Sequence, residues 1–306
     1  MIKTIPNGVY PTMLTPYTAD NKIDYKAVKQ LIDFYSERGC TGIFAICQSS
    51  EIFFLSFEER LELLKFIMAN KPEGMTILAS GNTADDLDKQ IEEAKAFIAT
   101  GIDAYVFISN RLAKEDEDDD VFLKNLEYAV SELPEISFGI YECPYPYKRI
   151  LSPYVLKKMA ASGKFQFIKD TCCDLKMIEA KLDAVKGSEL KIYNANSATL
   201  LDSLKLGCAG FSGVMANFHP ELYAELCSVY ATDPVKAETL QNFVGFFSVA
   251  ECQYYPVNAK YYLGLEGLDI RTDSRAKDAS LFTDNRKAEI DQMHALTVLF
   301  KNTVLK

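Results

Sequence analysis

The strongest constraint on this chain is an alternation: short apolar runs rich in β-branched and aromatic residues take turns with amphipathic segments, eight times, from residue 8 to about residue 231. Runs that are apolar throughout suit strands of a parallel sheet buried on both faces, and parallel strands need a helix-length crossover between them. The eight runs fall near residues 8–17, 42–47, 76–81, 104–109, 138–143, 165–170, 190–194 and 210–214. Between them, segments such as 25–38, 57–70, 83–100 and 121–133 carry apolar residues at i, i+3, i+4 spacing. Gly39, Gly101 and Gly207 stand just past helix ends, where a left-handed residue is wanted. Eight such units predict an α/β fold, a (β/α)8 TIM barrel over residues 1–231, with a doubly wound open sheet as the other topology the pattern allows. Residues 232–306 have helical periodicity without strand signals, which predicts an all-helical C-terminal extension.

Composition narrows the function. With 43 acidic against 33 basic residues the formal net charge is -10, so nucleic acid is not expected as a partner. No stretch approaches the roughly 18 apolar residues of a membrane span, and the start MIKTIPNGVYPTML lacks a basic segment leading into an apolar one. No membrane association is expected, and the chain reads as cytoplasmic. The eight cysteines (Cys40, Cys47, Cys143, Cys172, Cys173, Cys208, Cys227, Cys252) are scattered without a C-x2-C pair and read as buried, reduced thiols. Only two histidines, His219 and His294, are present, too few for a His-based zinc site or a Ser-His or Cys-His hydrolase, which also argues against a metal-dependent barrel aldolase. The acidic run at 114–120 reads as a helix start, where carboxylates oppose the positive end of the dipole, rather than as a metal site. Phosphate-binding glycine motifs are absent, so no nucleotide cofactor is indicated.

Barrel enzymes carry their reactive groups at the C-terminal ends of strands. The sixth run ends Phe165-Gln166-Phe167-Ile168-Lys169-Asp170-Thr171. A lysine in that place ordinarily emerges into solvent; if buried, it must pair with a carboxylate or be driven toward the neutral amine that adds to a ketone. The fifth run ends Gly139-Ile140-Tyr141-Glu142-Cys143-Pro144, where Tyr141 is either barrel filling or a phenol within reach to relay a proton. The second ends Ile46-Cys47-Gln48-Ser49-Ser50-Glu51, either a plain loop or a cradle of hydroxyls and N–H groups for a carboxylate.

Taken together, in order and spacing, these motifs resemble those of the dihydrodipicolinate synthase/N-acetylneuraminate lyase family over almost the whole chain. The family's G-[ST]-T-G-E and L-[ST]-x-E-E-R are similar to Cys47-Gln48-Ser49-Ser50-Glu51 and Leu55-Ser56-Phe57-Glu58-Glu59-Arg60. Its Y-N-x-P resembles Tyr141-Glu142-Cys143-Pro144, and its [IV]-K-[DQ]-[ST]-S-G-D resembles Ile168-Lys169-Asp170-Thr171-Cys172-Cys173-Asp174. Thr15-Pro16-Tyr17 and the stretch from Tyr255-Pro256 to Lys260 and Leu263 match its opening and late motifs. The resemblance implies a class I lyase acting on pyruvate or a related 2-oxo acid, with Lys169 forming the Schiff base and Tyr141 relaying protons. It further implies that Ser49 and Ser50 receive the 2-oxo acid carboxylate, while Gln48, Ser212 and Asn194 join the substrate-binding set. The iminium serves as electron sink, so no cofactor or metal is implied; an aldehyde is the second substrate and a homo-oligomer, tetramer or dimer, is the expected assembly.

The departures bear on specificity. The synthase branch carries an arginine two residues after its Y-N-x-P, where this chain has Pro146, and adjacent tyrosines after strand four, where it has Ser109-Asn110-Arg111. The sialic-acid branch has carboxylates after strand seven, where it has Ser197 and Ala198. Gln48 is bulkier than the family's Ser or Thr, and Ser50 replaces a usual Gly. Arg111, Lys148 and Arg149 are therefore the candidates for reading an anionic or strongly hydrogen-bonding second substrate. These features favour an aldolase or 2-oxo sugar acid dehydratase over a true 4-hydroxy-tetrahydrodipicolinate synthase. An idle barrel serving as ligand sensor or scaffold is the non-enzymatic alternative, disfavoured by the presence of both Lys169 and Tyr141.

Overall fold

The apolar runs become strands whose residues are buried almost without exception, because one face packs into a closed ring and the other meets helices. The computed structural model describes residues 3–305. Strands β1 (Gly8–Val9), β2 (Gly42–Ile46), β3 (Thr76–Ala79), β4 (Ala104–Ile108), β5 (Ser137–Tyr141), β6 (Phe165–Asp170), β7 (Lys191–Asn194) and β8 (Gly210–Phe211) pair in parallel in the order β1-β8-β7-β6-β5-β4-β3-β2. The ring closes between β1 and β2 through a parallel bridge, Thr12 to Phe44, with the Phe44 N–H donating to Pro11 O and the Met13 N–H to Phe44 O, each at 3.0 Å. At the β8–β1 seam the two backbones meet where a Cβ on Gly210 would lie 1.9 Å from Gly8 O. This is a TIM barrel.

The outer helices are α1 (Tyr25–Glu37), α2 (Phe57–Asn70), α3 (Leu87–Ile98), α4 (Asp119–Ser131), α5 (Pro153–Ser162), α6 (Leu175–Val185), α7 (Leu200–Leu206) and α8 (Pro220–Val229). The chain continues in α9 (Pro234–Phe247), α10 (Glu251–Tyr254), α11 (Val257–Leu265) and α12 (Asp284–Val304), the helical C-terminal region. No helix among the described residues is long and apolar enough to cross a membrane.

Local chemistry explains where elements start later or stop sooner than periodicity predicts. The run at 8–17 pairs as a strand only at Gly8–Val9, since Pro11 and Pro16 have no N–H to extend a ladder. Helix α3 begins at Leu87 rather than residue 83 because Asp86 caps it, accepting the Lys89 N–H at 2.8 Å. The acidic run does open a helix: Asp118 accepts the N–H groups of Asp120 and Val121, with Asp119 and Asp120 in the first turn of α4. All eight cysteines are free, but only Cys40, Cys47, Cys143 and Cys208 are buried; Cys172 and Cys227 are half-buried, and Cys173 and Cys252 are exposed.

The barrel interior is filled by aromatic rings: Phe167 stacks on Tyr193 at 4.6 Å between centroids, and Tyr10 and Phe44 meet Phe167 edge-on. Side chains two apart on a strand share a face. Lys169, two residues beyond Phe167 on β6, therefore points into the same interior, one step nearer its C-terminal mouth.

Candidate active site

Strand register supplies the next step. Tyr141 on β5 and Lys169 on β6 are direct partners in the parallel ladder, so they end adjacent strands side by side. Lys169 Nζ lies 4.1 Å from the centroid of the Tyr141 ring and 6.0 Å from that of Phe44. Both residues line a cavity of about 610 Å³, which Gln48, Ser49, Thr171, Asn196, Gly213 and other residues beyond strand ends complete.

Three lysines are buried among the described residues, and their surroundings differ. Lys181 is ion-paired with Glu142 and Asp170, and Lys260 with Glu51 at 2.9 Å. Lys169 is 3% exposed and has neither a hydrogen-bond acceptor nor a carboxylate within ion-pair distance among the described residues. Burial holds its amine below the usual lysine range, opposed only in part by the Cys47 and Cys143 thiols and by the Glu251 carboxylate. An amine withdrawn from water without a carboxylate partner is pushed toward the neutral, nucleophilic form.

The Tyr141 hydroxyl donates to Gln48 Oε1 at 3.2 Å, and burial raises its phenol well above the ordinary range. Gln48 and Ser49 lie in a 3-10 turn, Gln48–Ser50, that follows β2 directly. The Ser49 hydroxyl donates to Thr12 Oγ1 at 3.0 Å, and the N–H groups of Gln48 and Ser49 have no backbone acceptor. Two N–H groups without backbone acceptors, joined by the Ser49 hydroxyl once it turns from Thr12, can receive a carboxylate in the cavity that Lys169 lines.

The other sequence candidates lie elsewhere. The Ser50 side chain turns inward behind the strand: its hydroxyl sits 2.9 Å from both Met13 O and Ala45 O and accepts the Cys47 N–H at 3.0 Å. That is where a hydroxyl can be satisfied when Ser replaces Gly, and it removes Ser50's side chain from the cavity. The Ser212 hydroxyl donates to Tyr10 O at 3.0 Å across the barrel seam. Asn194 donates to Ser203 Oγ at 2.9 Å and accepts the Asn196 N–H at 2.8 Å, so it shapes the turn after β7, whereas Asn196 itself faces the cavity.

Of the three cations, only Lys148 reaches the cavity wall, with Nζ 2.8 Å from Thr171 O. Arg111 is spent on Thr83 O and on Asp85. Arg149 binds the carbonyls of Lys114, Glu117 and Asp118 as well as the Asp119 carboxylate. The acidic run draws it away from the cavity by offering a dense cluster of acceptors.

Two charged residues that sequence reasoning did not single out are present on the wall, Glu251 from α10 and Lys277 from the segment before α12. A signal for Glu251 existed: it stands four residues before Tyr255 of the late motif, one helical turn away on the same side of the chain. Tyr255 also lines the cavity, and its hydroxyl accepts from Asn217 at 3.1 Å.

A profile of the Dihydrodipicolinate synthetase family matches residues 5–293. The 4-hydroxy-tetrahydrodipicolinate synthase of Shewanella frigidimarina is 23% identical over 268 residues, covering 86% of this chain and 88% of that protein. Among solved structures, a prophage protein of the dihydrodipicolinic acid synthase family from E. coli K12, in complex with pyruvate, superimposes with a TM-score of 0.85 at 22% identity over 96% of this chain and 98% of its own. The Ruminococcus gnavus sialic acid aldolase gives 0.86 at 19% identity, covering 97% and 99%. At these identities the two structures establish the fold.

Proposed function

Since this chain belongs to the dihydrodipicolinate synthetase family, we propose that it is a class I lyase in which Lys169 forms a Schiff base with pyruvate or a related 2-oxo acid. The observation that carries the reading is the contrast among its buried lysines: two are locked to carboxylates, and the third, at the cavity floor, is left without a partner. Attack of the neutral Lys169 amine on the 2-oxo carbon gives a carbinolamine, and loss of water gives the iminium. The carboxylate of the substrate seats on the Ser49 hydroxyl and the N–H groups of Gln48 and Ser49, while Tyr141, whose ring lies 4.1 Å from Nζ, serves the carbinolamine oxygen with its hydroxyl. Once formed, the iminium accepts the electron pair of a breaking carbon–carbon bond and stores it as an enamine.

The second substrate is an aldehyde carrying an anionic or hydroxyl-rich tail, met at the mouth by Lys148, Lys277 and Asn196. The relatives named as synthases do not dictate the same aldehyde here, because Arg111 and Arg149 are committed to the chain's own acceptors. The cytoplasm is the proposed location and a homo-oligomer, tetramer or dimer, the proposed assembly.

The test is chemical trapping. Borohydride added to the enzyme with pyruvate is expected to leave a reduced adduct that peptide mass spectrometry assigns to Lys169. Lys169 left unmodified across a panel of 2-oxo acids overturns the assignment.

A further inference from the structure

We propose that Glu251 is the acid–base group of the carbon step: it takes a proton from C3 of the Lys169-bound 2-oxo acid iminium and returns it to the enamine carbon in the cleavage direction. This rests on the Schiff-base reading and adds a residue to it.

The step balances within the cavity. The C3–H bond breaks, its electron pair forms the C2=C3 bond, the C2=N pair returns to the Lys169 nitrogen, and the proton passes to a Glu251 oxygen. The reverse step regenerates the iminium, which water then hydrolyses to release the 2-oxo acid and the free amine.

The case begins with what Tyr141 does not offer. Its hydroxyl is donated to Gln48 Oε1, an amide oxygen with no proton of its own to hand on. No relay arrives from the end of β4 either. The Asn110 amide is consumed by the carbonyls of Cys143, Tyr145 and Tyr147, and the Ser109 hydroxyl donates to Arg149 O at 2.9 Å. Deprotonating Tyr141 would also place a phenolate in a buried site, and burial already pushes that phenol well up.

The cavity holds two carboxylates. Those of Glu51 are saturated: one oxygen accepts from Lys260 at 2.9 Å, the other from the Ser274 hydroxyl and the N–H groups of Arg275 and Ala276. Glu251 has no hydrogen-bond or ion-pair partner among the described residues and faces the same space as Lys169. The charged and titratable groups that line the cavity with it are Lys169, Lys148, Lys277, the saturated Glu51, the phenols of Tyr141, Tyr145 and Tyr255, and the thiols of Cys173 and Cys252. Burial raises the Glu251 carboxyl above the ordinary glutamate value, and the Lys169 charge opposes that rise. A carboxylate beside a nitrogen that becomes cationic at the iminium stage is ionised when a base is needed, and once protonated it is an acid strong enough to return the proton. Helix α10 thus delivers the acidic group that the loop after β7 lacks, where Ser197 is instead bonded to the Tyr223 hydroxyl at 2.8 Å.

Pyruvate alone tests this. In deuterated buffer, proton NMR follows loss of the methyl signal as the enzyme exchanges C3 hydrogens, while cyanoborohydride trapping on a parallel sample counts iminium at Lys169. Glu251→Gln is expected to exchange about 100-fold or more slowly than wild type at equal iminium occupancy, with Glu251→Asp recovering part of the rate. Wild-type exchange should fall on acidification with a midpoint above the usual glutamate range, a limb absent from Glu251→Gln. Exchange by Glu251→Gln within threefold of wild type, or loss of exchange confined to Tyr141→Phe, overturns the proposal while leaving the Schiff base standing. Absence of any trapped adduct on wild-type Lys169 overturns the Schiff-base reading, and this one with it.

Discussion

A buried amine without a counter-charge is a local instability, and Lys169 shows how the molecule tolerates one. Its folded-state pKa lies below the 10.5 of an exposed lysine, so between those values the folded protein binds fewer protons than the unfolded chain. Stability therefore rises as pH climbs toward 10.5 and declines as pH falls through the depressed value. Lys169→Met, of similar volume and uncharged, is expected to stabilise the protein at pH 7 by roughly 1–2 kcal/mol. That gain should shrink as the pH approaches 10.5, and the variant should form no pyruvate adduct. Thermal unfolding of both proteins across this range measures the effect; a variant less stable than wild type at neutral pH would mean that Nζ has a favourable partner in solution. Glu142 behaves in the opposite sense: burial and the Asp170 charge push its carboxyl up to about 7. The proton it holds stabilises the folded state below the ordinary 4.5, and that contribution is lost as pH rises through about 7.

Among the elements, the segment between α11 and α12 does more than connect them. It wraps Glu51, whose backbone sits in the left-handed region at φ 60° directly after the 3-10 turn carrying Gln48 and Ser49. Lys260 of α11 pairs with Glu51 and also donates to Asp273 O at 2.6 Å, while Arg275 reaches Glu59 of α2 at 2.8 Å. The helical region is thereby tied to the turn that faces Lys169. Removing one partner of a buried pair strands the other, so Lys260→Met is expected to cost about 3–5 kcal/mol in denaturant unfolding. The double variant Lys260→Met/Glu51→Gln should lose less than the sum of the single changes. A cost below about 1 kcal/mol for Lys260→Met would show that this tie does not hold the region in place.

For the whole molecule, the question is what covers its remaining apolar surface. Phe246 in the last turn of α9 is 72% exposed, Val249 in the turn that follows it 69%, and Leu299 on α12 64%. Large exposed apolar side chains are a common mark of an interface. Light scattering at micromolar concentration is expected to give a tetramer or dimer, with the Phe246→Asp variant shifted toward smaller species. A wild-type protein that is strictly monomeric would count against the assembly.

What the amino-acid order determined by itself was whatever follows from short-range periodicity. Continuous apolar runs separated by amphipathic helices specify a parallel sheet, whose closure into a barrel the Thr12–Phe44 bridge decides, and strand parity then places Lys169 with Phe167 and Tyr141 at a neighbouring strand end. Those features need only residues a few positions apart, so they were legible. Tertiary structure alone decided which long side chains turn toward the cavity. Arg111 and Arg149 stand at the expected loops, yet the carbonyls and carboxylates of residues far along the chain capture them. Ser50, Ser212 and Asn194 carry suitable groups that the packing satisfies internally. Glu251 joins Lys169 across 82 positions of sequence only because α10 folds back over the barrel mouth. A hydrogen bond or an ion pair depends on distance in space, and for flexible side chains at loop ends that distance is set by the folded neighbours.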